Sequence, residues 1–544
     1  MPEYYVGFDL GTTNTIVSVL RRGRIETLLV EGDPVCPSVV HFSVKDGIVV
    51  GRSAKRRMHI ETERTIASVK RKMGRLKYRY RQNGTEYTPA DISSLILKKV
   101  KEEAEKELGV PIRKAVITVP AYFNDDQRNQ TKKAAEQAGI EVLRLLSEPT
   151  AAAIAYGINQ GKDQTIAVYD LGGGTFDISI LQVKGNTFTV KAVGGDSKLS
   201  GDDFDQALAC HVQAQFCATE RIDLEKEPDG CDLRTARQRL KEECQKIKEE
   251  LSVVEEAVVN ITSFYKGRHL EVPVKRVQFE RLIADSIART VRLTSETLKK
   301  AGLTKSDIDR VLLVGGSTRI PYVKEKVAKA IKEPFTADNV MELVAHGAAF
   351  MAAQYMAIHD KGDAMIREII KVSSIKELND SLREISPYRL GIATVSIVPT
   401  RDAHRFREPR VDGRDGMSLV GGVFSEIVKL GQKIPLRERN DGYTTTADYA
   451  ESVRIEIYRT SEPAAPGQDS CLDKEMQFLG EFNLGGIPVA KAGVPKITVT
   501  MAIDENGILQ VQAEEKNRPG YEQKTFDLSV ERDTARVDEE DGDD

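Results

Sequence analysis

The chain has no run of about 18 consecutive apolar residues, which argues against a membrane-spanning helix. Net charge is nearly absent as well: 79 basic and 83 acidic side chains leave −4, so no global field draws the chain to nucleic acid or anionic lipid. Cysteine is sparse. Cys36, Cys210, Cys217, Cys231, Cys244 and Cys471 include no Cys-x-x-Cys pair and no neighbouring His at zinc spacing, against a zinc site or a disulfide scaffold. They are expected to be reduced, partly buried thiols of a cytoplasmic protein. The opening Met1-Pro2-Glu3-Tyr4-Tyr5 lacks the basic and apolar regions of a secretory signal, so the mature protein is expected to begin there. What remains, 544 residues with 40% hydrophobic and 30% charged side chains, describes a soluble chain with room for three or four domains.

Against this background one pattern occurs twice. Val6-Gly7-Phe8-Asp9-Leu10-Gly11-Thr12-Thr13-Asn14-Thr15 is matched by Val168-Tyr169-Asp170-Leu171-Gly172-Gly173-Gly174-Thr175-Phe176-Asp177. Each copy is a short apolar strand with Asp near its end, a Gly-Thr turn, and a second alternating strand. Glycine lets backbone N–H groups approach a polyanion, and Thr hydroxyls add donors. The Asp would repel phosphate, so it serves only through a metal ion or the attacking water. Two such loops point to a nucleotide held between two related lobes.

Residues 1–360 alternate strand and helix signals, as α/β architecture requires. A late strand-loop-helix recurs in each half. Ala115–Val119 leads into a helix capped by Asn124 with Gln127 at the capping-box position and Gly139 at its end, while Val311–Val314 leads into Gly315-Gly316-Ser317-Thr318-Arg319. Between the halves, Ser147-Glu148-Pro149-Thr150 opens an Ala-rich helix ending at Gly157. A further helix, about 236–251, places Gln245, Lys248 and Ser252 on one polar face, able to hold adenine and ribose opposite Gly315-Gly316.

The motifs Asp-Leu-Gly-Thr-Thr-Asn, Val-Pro-Ala-Tyr-Phe-Asn-Asp, Glu-Pro-Thr-Ala-Ala-Ala-Ile-Ala-Tyr-Gly, Asp-Leu-Gly-Gly-Gly-Thr-Phe-Asp and Val-Gly-Gly-Ser-Thr-Arg-Ile-Pro occur in this order. Together they resemble the ATPase domain of the 70-kDa heat-shock chaperones (DnaK type). The resemblance implies an actin-like, duplicated ribonuclease-H-like ATPase of two lobes over residues 1–360, binding ATP or ADP with Mg²⁺ and admitting K⁺. It maps nucleotide contacts onto Gly11, Thr12, Thr13, Asn14, Gly172, Gly173, Gly174, Gly201, Gln245, Lys248, Ser252, Gly315, Gly316, Ser317 and Arg319. The catalytic set it implies is Asp9, Lys70, Glu148, Asp170, Thr175 and Asp177. Asp9 and Asp170 hold Mg²⁺ through water, Lys70 neutralises charge on the γ-phosphoryl group, and Glu148, Thr175 and Asp177 order the attacking water. Three departures touch affinity or exchange rather than hydrolysis: Gln245 stands where the family has Glu, Met341 where it has Asp, and Ser200-Gly201 where it has Gly-Gly.

After about residue 387 the pattern becomes period-two alternation with turn signals, including Asp504-Glu505-Asn506-Gly507 between strands. A β-sandwich over 386–532 is expected. Ser386-Pro387-Tyr388-Arg389-Leu390-Gly391-Ile392 resembles the start of the chaperones' peptide-binding domain. The same resemblance maps an apolar peptide groove onto Ile392, Val395, Tyr443, Thr446, Val453 and Ile455, although ordinary core accounts for alternating apolar residues equally. Residues 361–385 form the expected linker. It reads as helical and charged, lacks the family's Leu run, and offers only Leu382 and Ile385 as anchors near its end, so ATP is expected to change peptide affinity less than about tenfold. The 400–421 stretch, rich in Arg and Asp, reads as a long surface loop. The family's helical lid has no counterpart after the sandwich, and 533–544 reads as a disordered acidic tail.

The implied function is ATP-driven chaperoning of unfolded or extended hydrophobic polypeptides, with J-domain co-chaperones and nucleotide exchange factors as partners and neither nucleic acid nor membrane. Two rivals remain open: a regulatory or exchange-type relative acting on a larger chaperone, and a small-molecule kinase on the same fold.

Overall fold

A computed structural model describes residues 3–58, 60–157, 163–185, 187–227, 230–335, 340–359, 366, 370, 374–412, 417–464, 467–516 and 524–527. The chain divides into two compact units, Met1–Arg383 and Glu384–Asp544. The expected acidic tail lies outside the described residues.

The first unit is built on two mixed sheets of matching topology. In the first, Val6–Leu10 runs antiparallel to Asn14–Arg21 and parallel to Lys114–Val119; Arg24–Thr27 and Glu141–Ser147 complete the order on either side. In the second, Gln164–Leu171 runs antiparallel to Phe176–Lys184 and parallel to Arg310–Val314, with Thr187–Asp196 beyond. The strands are buried on both faces, which is why they read as near-continuous apolar runs. Each sheet anchors its own core, Val6, Phe8, Val17, Ile117 and Leu145 in one and Tyr169, Phe176, Ile178, Leu313 and Val323 in the other.

Local signals explain where the helices begin. Asn124 accepts from Gln127 N while the Gln127 side chain accepts from Asn124 N, a full capping box before Asp125–Gln137. The Ala-rich helix runs Glu148–Gly157. The polar-faced helix runs Cys231–Leu251, starting earlier than its apolar stripe indicates because Gly230 serves as its N-cap. Leu343–Ile358 crosses the Ala-rich helix so closely that a Cβ on Gly347 would fall 1.8 Å from the Ala151 carbonyl oxygen.

Within the stretch expected to be a charged helical linker, Ile375–Ser381 is a helix and the chain then turns to strand over Leu382–Ile385; most of 361–373 lies outside the described residues. Leu378 and Leu382 are buried, Asn379 accepts from the Arg144 guanidinium at 2.8 Å, and Leu382 and Arg383 pair in parallel with Phe188 and Thr189. Leu382 is thus buried and backbone-paired, contrary to the weak anchoring that its charged neighbours indicate. Backbone pairing with Thr187–Asp196 supplies what the missing Leu run does not.

The second unit consists of two antiparallel sheets sharing one core. Strands Arg407–Asp412, Met417–Val428, Arg389–Pro399, Ser452–Thr460 and Gln477–Gly485 form one; Leu436–Tyr443, Ile497–Ile503, Leu509–Glu515 and Lys524–Asp527 form the other. Leu390, Ile457 and Leu479 face Val499, Met501 and Val511. The 400–421 stretch is not a loop. It contains a 3-10 turn, Thr400–Arg405, and extends the sheet through Arg407–Asp412 and Met417–Val428. Val398, Ala403, Phe406, Val420 and Val423 form a small core there, and residues 413–416 lie outside the described residues.

Candidate functional site

The two Gly-Thr turns meet in the first unit. A Cβ on Gly173 would fall 2.1 Å from Thr13 Oγ1, and one on Gly174 would fall 2.2 Å from Thr12 Oγ1. Only glycine permits this approach. Ser38 ties the first turn, donating to Gly11 O at 2.8 Å and lying 2.9 Å from Thr15 Oγ1. The second turn closes on itself, Gly172 N donating to Thr175 O at 3.1 Å.

Carboxylates collect behind the turns. Strand register places Asp170 directly opposite Asp177. Asp9 accepts from Thr118 Oγ1 at 3.0 Å, and Asp177 accepts from Tyr122 N at 3.3 Å. Lys70, buried with Val69 in the turn Val69–Lys72, donates to Glu148 and lies 5.6 Å from the centre of the Phe123 ring. Glu148 opens the Ala-rich helix, as its place before Pro149 indicates.

One ammonium therefore faces four carboxylates, and three of these are held above the ordinary carboxylate range. Burial, then the charge of Glu148, raises Asp9 to about 7 and Asp177 to about 7. The same causes, followed by Asp177 and Asp9, hold Asp170 well above the usual carboxylate range. Lys70 lowers all three, but less. Such an excess of buried negative charge is a fitting receptor for a divalent cation. Among the described residues no three His, Cys, Asp or Glu side chains converge as a direct metal cluster.

The residues expected on the adenosine side gather around Gly201. Its Cβ would lie 2.4 Å from Ser317 Oγ and 3.2 Å from Lys248 Nζ. Ser317 donates to Gly172 O at 3.1 Å; Lys248 donates to Gly201 O at 3.1 Å and pairs with Asp205 at 2.8 Å. Burial keeps Asp205 up at about 6 in spite of that pairing. Gly315 takes φ 83°, a left-handed value, and its Cβ would strike Leu171 O at 2.5 Å. Gly316 and Arg319 lie exposed on the same turn. Gln245 and Ser252 share the Lys248 helix, but their bonds stay on it: Gln245 to Glu249 at 3.2 Å, Ser252 to Lys248 O at 3.0 Å.

In the second unit the six expected groove positions separate. Ile392 and Ile455 are buried in the shared core, Tyr443 and Val453 pack at its margin, Val395 is half-buried, and Thr446 is exposed. Tyr443 OH lies 2.9 Å from Ser425 Oγ.

Sequence reasoning missed Ser38, Thr118, Tyr122 and Phe123. The last three lie in or beside the Val-Pro-Ala-Tyr-Phe-Asn-Asp motif, and its position at a strand end was the available signal. Ser38 has no local signal; only the fold brings it to Gly11.

Comparison with known proteins agrees with this geometry. The family model described as Hsp70 protein matches residues 5–82, 76–406 and 414–541. A relative, the chaperone protein DnaK of Thermotoga neapolitana, is 40% identical over 522 residues, covering 94% of this chain and 78% of the relative. With matched loops, a lysine-glutamate pair, and a two-sheet second unit under one continuous resemblance, the chain belongs to the Hsp70 family and is an ATP-hydrolysing chaperone of the DnaK type.

Proposed function

We propose that the first unit is an actin-like, duplicated ATPase in which Lys70, Glu148, Asp170, Thr175 and Asp177 carry the chemistry, and that the second is a β-sandwich holding extended apolar peptide. The observation that carries the reading is the buried Lys70, paired with Glu148 and set among Asp9, Asp170 and Asp177 beside two interlocked Gly-Thr turns. A rival exchange-type relative would not require so costly a cluster, since each buried carboxylate opposes folding.

The backbone N–H groups of Gly11–Thr13, Gly173 and Gly174 suit the phosphate oxygens, with Gly172 shaping the turn, and Lys248, Ser317 and Arg319 suit the adenosine, with Gln245 and Ser252 beside them. Mg²⁺, held through water by Asp9 and Asp170, would neutralise phosphate charge. K⁺ is the further ion we place in this cleft, testable by replacement with Na⁺. Glu148 and Thr175 would orient the attacking water in line with the terminal phosphoryl group. Asp177, with a pKa near 7, can hold the proton that the water gives up. A bond forms from water oxygen to phosphorus, the bond to ADP breaks, and no enzyme group is phosphorylated. Lys70 offsets the charge that develops on the way.

For the peptide, Val395, Tyr443, Thr446 and Val453 are the proposed contacts, with Ile392 and Ile455 as the floor. Unfolded polypeptides in the cytoplasm are the proposed clients, with a J-domain protein and an exchange factor as partners. Among the described residues no helix is long and apolar enough to cross a membrane.

The test is Lys70→Ala. ATP affinity should stay within about threefold, because the turns supply most phosphate contacts, while single-turnover hydrolysis should fall at least about a hundredfold. An unchanged rate would refute the assignment.

A further inference from the structure

The turn that presents Lys70 is short, and the backbone leading into it is strained. Ser68, immediately before Val69–Lys72, has φ 52° and ψ 30°, a left-handed conformation that costs energy for a residue with a Cβ. Such a conformation persists where the surroundings over-determine it. Here the restraint comes from the opposite lobe. Ser68 Oγ donates to Asp202 Oδ2 at 2.8 Å, Arg71 Nη2 lies 3.1 Å from Asp203 Oδ1, and Arg71 Nη1 lies 4.0 Å from Asp202 Oδ2.

Asp202 and Asp203 are themselves fixed. They occupy the first turn of the helix Gly201–Glu220, where negative charge is favoured. Ser200 Oγ donates to Asp203 Oδ2 at 2.6 Å. The backbone of the same turn is fastened to the second Gly-Thr loop, Gly201 N donating to Gly172 O at 2.9 Å and Asp202 N to Gly173 O at 3.0 Å. A continuous set of bonds therefore runs from that loop, through residues 201–203, to the two residues that bracket Val69 and Lys70.

We propose that Arg71 and Ser68 are positioning residues for hydrolysis: by gripping Asp203 and Asp202 they hold Lys70 in register with the second phosphate loop. This rests on the role given to Lys70 above. Neither residue touches the reacting atoms. Arg71 is a quarter exposed, so the ion pair contributes little to stability. Its value lies in placement, because a shift of about 1 Å in a reacting group can cost about a hundredfold in rate. The arrangement makes Lys70 ready only while the Gly201–Glu220 helix and the second loop are seated against the first lobe.

Single-turnover hydrolysis and ATP affinity are to be measured separately on the full chain for Arg71→Ala, Arg71→Lys, Asp203→Ala, the Arg71→Ala/Asp203→Ala pair, and Lys70→Ala. Arg71→Ala should lower the rate about tenfold to a hundredfold with ATP affinity within about threefold, and Arg71→Lys should recover part of the loss. The double variant should be no slower than the slower single, since both remove one shared interaction. Ser68→Gly relieves the backbone but removes the hydroxyl, and should also slow hydrolysis. Thermal midpoints report any loss of the Ser200–Asp203 hydrogen bond independently. A wild-type rate in Arg71→Ala, an equal loss of ATP affinity, or losses that multiply in the double variant would overturn the proposal. Lys70→Ala separates the two readings. If it hydrolyses normally the catalytic assignment fails; if it is slow while Arg71→Ala is normal, only the positioning role fails.

Discussion

Replacing Asp177 by Asn should stabilise the nucleotide-free protein at alkaline pH and do so much less in acid. Asp177 is 1% exposed, and its pKa stands at about 7 against an ordinary 3.8, chiefly through burial and then through Glu148. Because the folded value is raised, the folded state binds this proton more tightly than the unfolded chain. The resulting stability is fully present below the ordinary value and is lost as pH rises through about 7. At pH 8 the ionised carboxylate therefore opposes folding. A rise of about three units corresponds to roughly 4 kcal/mol, and sharing of protons with Asp9 and Asp170 lowers the recoverable part to about 2–3 kcal/mol. Asn is neutral at both pH values, and its amide oxygen can still accept from Tyr122 N. The assay is thermal unfolding in a chelator without nucleotide, at pH 5 and pH 8. The Asp177→Asn protein should melt several degrees above wild type at pH 8 and exceed it by less than half as much at pH 5, where most of the proton-linked stability is still present. The gain should shrink when Mg²⁺ and ADP are added, since a cation removes the repulsion. A lower midpoint at pH 8, or an equal gain at both pH values, would refute the reasoning.

Gly174→Ala would place a Cβ 2.2 Å from Thr12 Oγ1, so the turns must part; ATP affinity measured by calorimetry should drop at least about tenfold. Leu382→Asp puts an unpaired charge at a position 2% exposed, and should release the backbone pairing with Phe188 and Thr189 at a cost of about 2–4 kcal/mol, read as faster amide exchange there. Since Leu382 is buried and paired, the same variant should reduce the effect of ATP on peptide affinity, measured by fluorescence anisotropy in ATP and in ADP.

Much of the ATP site is legible in the sequence because its determinants are local. Two Asp-Leu-Gly turns announce themselves, and the four-residue turn between Leu171 and Phe176 sets Asp170 opposite Asp177. The Asn124 capping box is contained within four residues. What escapes is set by long-range pairing. Thr118 meets Asp9 across 109 positions and Arg71 meets Asp203 across 132, and no local pattern marks either. Composition also misleads in the Arg- and Asp-rich 400–421 stretch, where Ala403, Phe406 and Val420 are buried together and the strands Arg407–Asp412 and Met417–Val428 form. In the linker, Leu382 reads as a weak anchor because its backbone partner, Phe188, is remote in sequence.

The central claim is that one chain hydrolyses ATP in its first unit in response to apolar peptide held by its second. Single-turnover hydrolysis with and without an extended Leu-rich peptide tests it, in wild type and in folded Val453→Asp. The account predicts equal basal rates, acceleration by peptide in the wild type, and no acceleration in Val453→Asp, where an unpaired charge blocks the apolar site. A wild-type rate indifferent to peptide, or equal acceleration of both proteins, would contradict it.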